Sequence, residues 1–416
     1  MVRKGWKQVT LGDIALFQGG SQPPLSVFSS QKKAGYIRLV QIRDYKTDKY
    51  ATYIPEKLAK RFCKQDDIMI GRYGPPIFQI LRGIEGAYNV ALIKALPQGV
   101  DKEFLYHTLK REDLFEYIDL LSRRTSGQTG VDLTNLKAFE LSIPVLTDEQ
   151  ATIAKALSDV DSLISSLQKL IEKKKAIKQG AMQELLTGQK RLPGFSVEWS
   201  QAPFEDLFDF LPTNAFTRDQ MTDTGTIQNV HYGDILTKYG ACLDMANTDV
   251  PYLLEAVSVR KYSESSYVRE GDVIIADTAE DSTVGKCVEL VNVHGKVLSG
   301  QHTMLCRPKV TFAPKFLGYY MNAGCFHNQM LPFITGIKVS SISKANISTL
   351  VLKYPTLVEE QQAIAQVFSD MDDEIAQLEK KLDKYQQIKQ GMMQELLTGR
   401  IRLVDADGKE QPKAQI

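Results

Sequence analysis

The sequence lacks the features that mark a secreted, membrane-spanning or disulfide-stabilised protein. Its 416 residues include only five cysteines, which are scattered along the chain and form no C-x-x-C pair. A disulfide framework or a zinc knuckle is therefore not expected. No apolar run approaches the ~20 residues that span a bilayer, and the amino terminus has no signal-peptide core. We therefore expect a cytoplasmic protein with no membrane contact.

The motifs of common enzyme active sites are also missing. The chain has no glycine-rich phosphate loop, no H-E-x-x-H zinc motif and no G-x-S-x-G nucleophile turn. Its five histidines are dispersed; His302 and Cys306 lie four positions apart, but in a segment that predicts a strand rather than a metal site. We expect no catalysis by this chain, and no metal or cofactor bound to it.

Charge is nearly balanced overall but unevenly distributed. The chain carries a net charge of +1. Residues 1–145 contain 22 Lys and Arg against 15 Asp and Glu, a net +7, whereas residues 199–355 contain 13 against 16, a net −3. The first part could attract a polyanion by itself, and the second would need a local patch or the help of a partner.

One long segment occurs twice. Residues 149–192 reappear at 360–403 without a gap and at a constant offset of 211, with more than half of the 44 positions identical. The identical runs include I-K-Q-G and Q-E-L-L-T-G. The stretches before the two copies differ more, but Trp6 and Trp199, the only tryptophans, open comparable segments. The apolar run at 68–71 likewise resembles that at 273–276. The layout is thus domain, helix, domain, helix.

The repeated segments predict long helices with a heptad pattern. Apolar residues are spaced four and three apart in both copies, at Ile153, Leu157, Val160, Ile164, Leu167 and Ile171, and at Ile364, Phe368, Met371, Ile375, Leu378, Leu382 and Tyr385. Such a stripe can pack against its own domain or form a coiled coil. Two copies with the same stripe favour pairing with each other. Thr147 with Gln150, and Thr356 with Glu359, predict capping boxes, and Gly188 and Gly399 predict left-handed helix ends.

These patterns predict an α+β protein made of five consecutive segments. They are a mixed α/β domain at 1–147, a helix at 148–192, a second mixed α/β domain at 193–356, a second helix at 357–403 and a flexible polar tail at 404–416. Each helix would be ~60 Å long at about 1.5 Å per residue. We expect the helices to form an antiparallel coiled coil, with internal pseudo-twofold symmetry.

Two glycines inside the predicted helices require a reason. Gly180 and Gly391 occupy the same position of the repeat, although a glycine inside a helix costs about 1 kcal/mol relative to alanine. Either the helix bends there or another chain approaches closely. A docking surface at each copy would bind two copies of one partner. The residues predicted for it are Gly180, Gln183, Leu186, Gly391, Gln394 and Leu397.

The polar residues of the two domains suit nucleic acid better than catalysis. Arginine can bind guanine edges, glutamine can bind adenine, and small loop residues let the backbone approach phosphates. The predicted contacts are Arg38, Gln41, Arg43, Arg72, Tyr73, Arg123, Arg124, Asn214, Arg218, Tyr232 and Lys338. Each of them could instead be an ordinary solvated side chain, and the candidates in the acidic second domain carry the weaker signal.

The repeat, the two tryptophan-led openings and the motif I-K-Q-G-x-M-Q-E-L-L-T-G closely resemble the specificity subunit of type I restriction-modification systems, from Trp6 to Leu403. The resemblance implies two target-recognition domains that each read one half of a split double-stranded DNA sequence. It implies a coiled coil that spans the gap and two modification (methylase) subunits docked on the helices. It also implies that S-adenosylmethionine, ATP and Mg²⁺ belong to the modification and restriction/translocase subunits.

Two other interpretations remain open at this stage. The chain could be a regulatory or degenerate scaffold that binds partners without DNA specificity. It could also be a fused nuclease or methylase, which the missing motifs disfavour. Sequence-selective retention of DNA in the presence of the methylase would separate the first alternative from the DNA-recognition hypothesis. Methyl transfer by the chain alone would favour the second.

Overall fold

A computed structural model describes residues 3–124, 130–336 and 338–404. The elements of the first half are β1 Trp6–Thr10, α1 Leu11–Ile14, β2 Ala15–Gly19, β3 Tyr36–Val40, β4 Tyr53–Pro55, β5 Phe62–Cys63, β6 Ile68–Gly71, β7 Ile80–Leu81, β8 Gly86–Tyr88, β9 Leu92–Pro97, α2 Lys102–Leu109, α3 Glu112–Arg124, α4 Leu133–Ala138, β10 Glu140–Pro144 and α5 Thr147–Leu185.

The second half repeats this order with additional strands. Its elements are β11 Ser200–Pro203, α6 Phe204–Leu207, β12 Phe208–Leu211, β13 Met221–Thr222, β14 Ile227–Val230, α7 Tyr232–Thr237, β15 Cys242–Asp244, β16 Tyr252–Leu253, β17 Val273–Ala276, β18 Thr278–Ala279, β19 Cys287–Val291, β20 Lys296–Ser299, β21 Thr303–Pro308, α8 Phe316–Asn322, α9 Gly324–Met330, β22 Ser340–Ser341, α10 Lys344–Ser348, β23 Val351–Tyr354 and α11 Val358–Leu396.

Two compact units divide the chain differently from its linear order. Unit 1 contains residues 1–168 and 381–416, and unit 2 contains residues 169–380. Each long helix therefore contributes one part to each unit. The predicted tail begins at 404, and residues 405–416 lie outside the described part of the chain.

Unit 1 contains two four-stranded sheets, in the orders β2-β9-β6-β7 and β4-β3-β8-β5, and the antiparallel pair β1-β10. Unit 2 contains a five-stranded sheet, β12-β21-β17-β19-β15, a four-stranded sheet, β13-β16-β14-β20, and the pairs β11-β23 and β18-β22. The predicted similarity of the apolar runs is confirmed, because β6 and β17 are fully buried strands. Each follows an aspartate that closes the preceding turn, with Lys64 N donating to Asp67 (2.9 Å) and Arg269 N to Asp272 (2.8 Å).

The long helices α5 and α11 each contain 39 residues, or about 58 Å at 1.5 Å per residue. Within each unit their segments pack antiparallel. In unit 1 Lys389 pairs with Asp161 (2.5 Å), and in unit 2 Lys178 pairs with Asp372 (2.5 Å) and Lys174 with Glu374 (2.6 Å). The predicted α+β fold with paired antiparallel helices is confirmed.

The helix ends are partly as predicted. Gly188 and Gly399 adopt left-handed φ values of 72° and 67°, as the helix-stop pattern requires. The predicted capping boxes are wrong. The Gln150 amide donates to the Pro144 carbonyl and accepts from Asp101 N, while the Thr356 hydroxyl donates to the Glu198 carbonyl. These side chains connect the start of each helix to the adjacent domain instead of capping the helix.

Candidate DNA interface and partner grooves

One end of unit 1 gathers the residues that follow three strands. Asn89 N, after β8, donates to the carbonyl of Val40 at the end of β3 (3.1 Å), and Arg72 N, after β6, donates to the Ala91 carbonyl (2.8 Å). Val131 N donates to the Arg72 carbonyl (2.9 Å). We call this end the strand-end surface of unit 1, comprising residues 41–43, 72–73, 89–91 and 130–131.

Unit 2 repeats the same connections. Gly300 N donates to the Val230 carbonyl (2.9 Å), Asp277 N to the His302 carbonyl (3.1 Å) and Ile342 N to the Asp277 carbonyl (3.0 Å). The strand-end surface of unit 2 comprises residues 231–232, 277–278, 300–302, 335–336 and 338–341. The two surfaces thus share a backbone plan, while their side chains differ.

Arg72 and Tyr73 lie on the strand-end surface of unit 1. The Arg72 guanidinium carbon lies 5.4 Å from the centre of the Tyr73 ring, and Tyr73 forms a bridge with Gly130. A Cβ at position 130 would lie 2.7 Å from the Tyr73 ring, so this approach requires glycine. Within the described residues, Arg72 has no carboxylate partner and its buried Nε has no hydrogen-bond acceptor.

Arg38, Gln41 and Arg43 are partly engaged within unit 1. Arg38 binds Asp48 (2.7 Å) and lies 3.6 Å from the buried carboxylate of Asp44. The Gln41 amide donates to the Thr52 hydroxyl, and the Arg43 guanidinium contacts the same hydroxyl. Arg43 is the more exposed of the two arginines, with 54% of its side chain accessible against 20% for Arg38.

The predicted loop at 123–130 is described only at its edges. Arg123 is exposed and pairs with Asp119 one helical turn earlier in α3 (2.7 Å). Arg124 ends that helix, and its side chain lies outside the described residues, as do residues 125–129. The hypothesis that this loop contacts DNA stays a prediction.

The candidates of unit 2 divide into buried and exposed residues. Asn214 is 6% exposed, and its amide nitrogen donates to Asn229 and to the Ser299 carbonyl. A base contact by Asn214 is therefore not expected, because its buried amide connects β14 to β20 instead. Tyr232 lies edge-on against His302, with ring centres 5.3 Å apart, on the strand-end surface. Lys338 is exposed in the loop of the same surface.

Arg218 neutralises a buried carboxylate. It donates to Asp234 (2.8 Å), which is 1% exposed and also pairs with Lys238 (3.0 Å). Burial raises the pKa of Asp234, but these two cations more than offset the effect and hold it below its usual range. Arg218 thus stabilises the buried carboxylate of Asp234, and about half of its own side chain remains exposed to solvent.

Sequence reasoning missed the turns at 89–91 and 300–302. Val90 is 45% exposed at the first, and Gln301 and His302 form the second. His302 adopts a positive φ of 55°, a conformation that few non-glycine residues take. The offset of 211 between these turns is the one signal in the sequence that could have found them.

Each unit also contains an equivalent buried network of hydrogen bonds among a tryptophan, a glutamate and an arginine. In unit 1 the carboxylate of Glu149, at the start of α5, accepts from Trp6 Nε1 (3.3 Å) and from Arg402 (2.7 and 2.8 Å). In unit 2 Glu360 accepts from Trp199 Nε1 (3.3 Å) and from Arg191 (2.5 and 2.6 Å). The arginine that follows one long helix thus neutralises the carboxylate that begins the other.

A groove lies beside the last turns of each long helix. Groove 1, in unit 1, and groove 2, in unit 2, have similar volumes of about 740 and 820 Å³. Nine residues of groove 2 have counterparts in groove 1 at the offset of 211: Lys175, Lys178, Gln179, Met182, Gln183, Thr187, Gln189, Asp372 and Ile375. The opposite walls differ, being charged at residues 110–116 of groove 1 and uncharged at residues 322–328 of groove 2.

The predicted partner contacts fall into two groups. Gly180 and Gly391 are exposed, and a Cβ at either would meet no atom within 4 Å. Gln183 and Gln394 are exposed in the grooves. The prediction was wrong for Leu186 and Leu397, which are each 1% exposed and belong to the cores of units 2 and 1. Each leucine follows its glycine by six positions, which places it about 120° around the helix from the glycine.

The described residues hold no group of three or more His, Cys, Asp or Glu that could bind a metal ion. Burial raises the pKa of the Cys63 and Cys325 thiols to about 11, so neither is activated as a nucleophile. Among the helices of the described ranges, none combines the length and the apolar character needed to cross a membrane.

Comparison with known proteins agrees with two DNA-specificity domains on paired helices. Residues 3–179 and 196–390 each match the type I restriction modification DNA specificity domain. The chain therefore belongs to this family, and it carries the domain twice. In type I systems the specificity subunit has a non-catalytic role.

Two relatives from Methanocaldococcus jannaschii match most of the chain. The type I restriction enzyme MjaVIII specificity subunit is 23% identical, over 97% of this chain and 94% of its own. The putative type I restriction enzyme MjaX specificity subunit is 25% identical, over 89% and 84%.

Two solved structures share the fold. The type I restriction-modification S subunit from M. genitalium superposes with a TM-score of 0.57 at 13% identity, covering 95% of this chain and 96% of that one. A chain from a structure on complex assembly and conformational transition of the type I R-M system gives 0.55 at 15% identity, covering 96% and 100%.

Proposed function

We propose that this chain is the DNA-recognition subunit of a type I restriction-modification complex and that it binds a bipartite, asymmetric target. The observation that carries the proposal is the repeated strand-end surface. The two units share backbone connections there but not side chains, since Arg72 in unit 1 is replaced by Asp277 in unit 2. A shared scaffold with different hydrogen-bonding groups suits two half-sites of different sequence.

The two surfaces also predict unequal contributions to affinity. The half of the chain that contains the first surface has an excess of basic residues, and Arg72 has no carboxylate partner within the described ranges. The second has an acidic residue at the equivalent position and a net negative charge around it. Because phosphate neutralisation supplies much of the affinity for DNA, the first unit dominates binding and the second depends on partners for phosphate contacts.

The grooves are the proposed docking sites of two modification subunits. Their common wall comes from the repeated helices, and Gly180 and Gly391 leave open space beside them. The matching helical walls favour two copies of one partner. In this proposal the partners carry S-adenosylmethionine, ATP and Mg²⁺, restriction/translocase subunits join the full complex, and the assembly acts on double-stranded DNA in the cytoplasm.

The test is a selection from duplexes that carry two randomised blocks separated by gaps of different lengths. The full chain is mixed with its modification subunit, and bound duplexes are recovered and sequenced. We expect two different enriched sequences at one gap length. Enrichment of a single block would contradict a bipartite target. Absence of any enrichment would contradict DNA reading and favour a partner-binding scaffold.

Arg72→Ala provides the internal control of this selection. It should weaken or relax the sequence of one block only, since Arg72 belongs to one strand-end surface. Arg72→Lys keeps the charge but loses the planar fork that binds guanine, so it should retain affinity better than sequence preference. Equal losses at both blocks would contradict the assignment.

A further inference from the structure

The turns at 89–91 and 300–302 have the same position in the two strand-end surfaces. The first residue of each turn donates its N–H to the end of a neighbouring strand, β3 or β14. The carbonyl of the third residue accepts from the residue after β6 or β17. Both ends of each turn are therefore fixed, and the middle residue, Val90 or Gln301, is at its tip.

Val90 is a large apolar side chain at an exposed position. It is 45% exposed and belongs to none of the core clusters of unit 1. Its neighbours Asn89 and Leu92 are buried. Val90 therefore takes no part in the core, and its side chain is accessible to an apolar group outside the chain.

Gln301 is held by its neighbour. The Gln301 amide nitrogen lies 3.1 Å from His302 Nε2. The other ring nitrogen of His302, Nδ1, lies 3.5 Å from the Thr278 hydroxyl and 3.8 Å from the Asp277 carboxylate. The Thr278 hydroxyl donates to Asp277 (2.8 Å), so its oxygen can accept a proton from Nδ1. In that tautomer Nε2 accepts from the Gln301 amide.

This arrangement orients the carboxamide of Gln301. Within the described residues, its oxygen and its second amide hydrogen have no protein partner. An adjacent acceptor and donor match the N6 amino group and N7 of adenine in the major groove. The ring of Tyr232 lies against His302, with ring centres 5.3 Å apart, and restricts the imidazole further.

We infer that the two turns read bases: Gln301 binds the edge of an adenine in one half-site, and Val90 contacts a thymine methyl group in the other. The inference rests on the proposed function, in which the strand-end surfaces face DNA. His302 is a positioning residue, because it acts through Gln301. The two turns have the same backbone connections but different residues at their tips. This difference explains how two similar domains can read different DNA sequences.

The duplex selection with randomised blocks tests this inference. For Gln301→Ala, we expect one position of one block to lose its adenine preference, with affinity for the wild-type sequence lower by about 10-fold. The other block should be unchanged. Val90→Ala should give the converse result, with a loss of thymine preference at one position of the other block.

His302→Asn tests the positioning role. Asparagine tolerates the positive φ but is too short to connect Gln301 to the Thr278 hydroxyl. The same adenine preference should therefore weaken while the thermal unfolding midpoint stays close to that of the wild type. If the role of His302 were purely structural, its replacement would instead lower the unfolding midpoint and reduce the sequence preference in both blocks.

The outcomes separate the two proposals. If the wild type selects two blocks and the Gln301 and Val90 variants select the same sequences, the turn inference is wrong and the DNA-recognition function stands. Uniform weakening of both blocks would also overturn the inference. If the wild type selects no sequence, both proposals are wrong.

Discussion

At the scale of the residue, the arginines predicted to contact DNA differ in what holds them. Arg38, Arg123 and Arg218 are paired with carboxylates of Asp48, Asp119 and Asp234. Arg72 has no such partner within the described chain. A carboxylate occupies some of the five N–H donors of a guanidinium and offsets its positive charge. Because Arg72 has no such contact, it is the most available of the four.

His107 shows how an internal residue makes one unit sensitive to acid. Its ring is fully buried in α2, with Nε2 3.0 Å from the Ser158 hydroxyl of α5. Burial lowers the pKa of His107 from 6.5 to about 4. In unit 2 the equivalent serine, Ser369, binds Lys315 instead (2.9 Å).

We predict that unit 1 loses stability as the pH falls from 6.5 towards 4. Across that window the unfolded chain binds a proton that the folded state excludes, so folding becomes less favourable in acid, by about 2 kcal/mol near pH 5. Urea unfolding can follow unit 1 alone in a Trp199→Phe background, where Trp6 is the remaining tryptophan.

The matched control for this prediction is His107→Gln, which can still bond to Ser158 but does not titrate. The free energy of unfolding should fall between pH 7 and pH 5 by more in the Trp199→Phe background than in the same chain with His107→Gln. An identical pH dependence in the two proteins would show that His107 is not the group responsible.

At the scale of the element, the heptad stripe serves two kinds of packing. Ile153 and Leu157, near the start of α5, belong to the core of unit 1, and Ile364 and Phe368 of α11 belong to the core of unit 2. Farther along, ion pairs such as Lys178–Asp372 connect the helices. Both sequence interpretations of the stripe therefore apply, each to one part of the helix.

Gly391→Leu should impair recruitment of the modification subunit without impairing folding. The added side chain meets no atom of the chain, and leucine is favoured over glycine in a helix by up to about 1 kcal/mol. It would, however, occupy the open space beside groove 1. Native mass spectrometry should show one bound partner for Gly391→Leu, and none for Gly180→Leu combined with Gly391→Leu.

Lys380→Leu is the control for that experiment. It adds the same side chain to the exposed face of α11 about three turns earlier, ~16 Å along the helix. Two bound partners should persist in this variant. A full complex formed by Gly391→Leu would refute docking at the glycine, and a lowered unfolding midpoint would show that the leucine disturbs the fold instead.

At the scale of the whole molecule, the two long helices are proposed to set the gap between half-sites. In unit 1 Asp161 faces Lys389, which brings Gln168 and Leu382 to about the same level of the antiparallel pair. Inserting one heptad after each of these residues preserves the apolar stripe and lengthens both helices by ~10 Å. We predict a preferred gap longer by about three base pairs at 3.4 Å per pair.

The duplex selection measures this gap, and a scrambled insertion of equal length with polar residues at the apolar positions provides the control. The heptad insertion should shift the gap while both block sequences stay the same. If the enriched gap is unchanged although the protein still binds, the helices do not determine the spacing.

Sequence alone determined the two-domain plan, the two long helices and their glycine stops. These features depend on local patterns, namely heptad periodicity, apolar strand sequences and glycines that tolerate positive φ. Each pattern occurs twice in the repeat, which strengthened the prediction. The same spacing also relates the turns of Val90 and Gln301, although local chemistry alone did not single them out.

Only the tertiary structure decided which residues share a unit and which remain available. Glu149 meets Arg402 across 253 positions, Leu186 and Leu397 enter the cores, and the Asn214 amide joins two strands. Burial and ion pairing depend on which distant segments pack together, and no local pattern encodes that. The sequence therefore specified the repeated scaffold, while long-range packing decided which side chains remain exposed and unpaired.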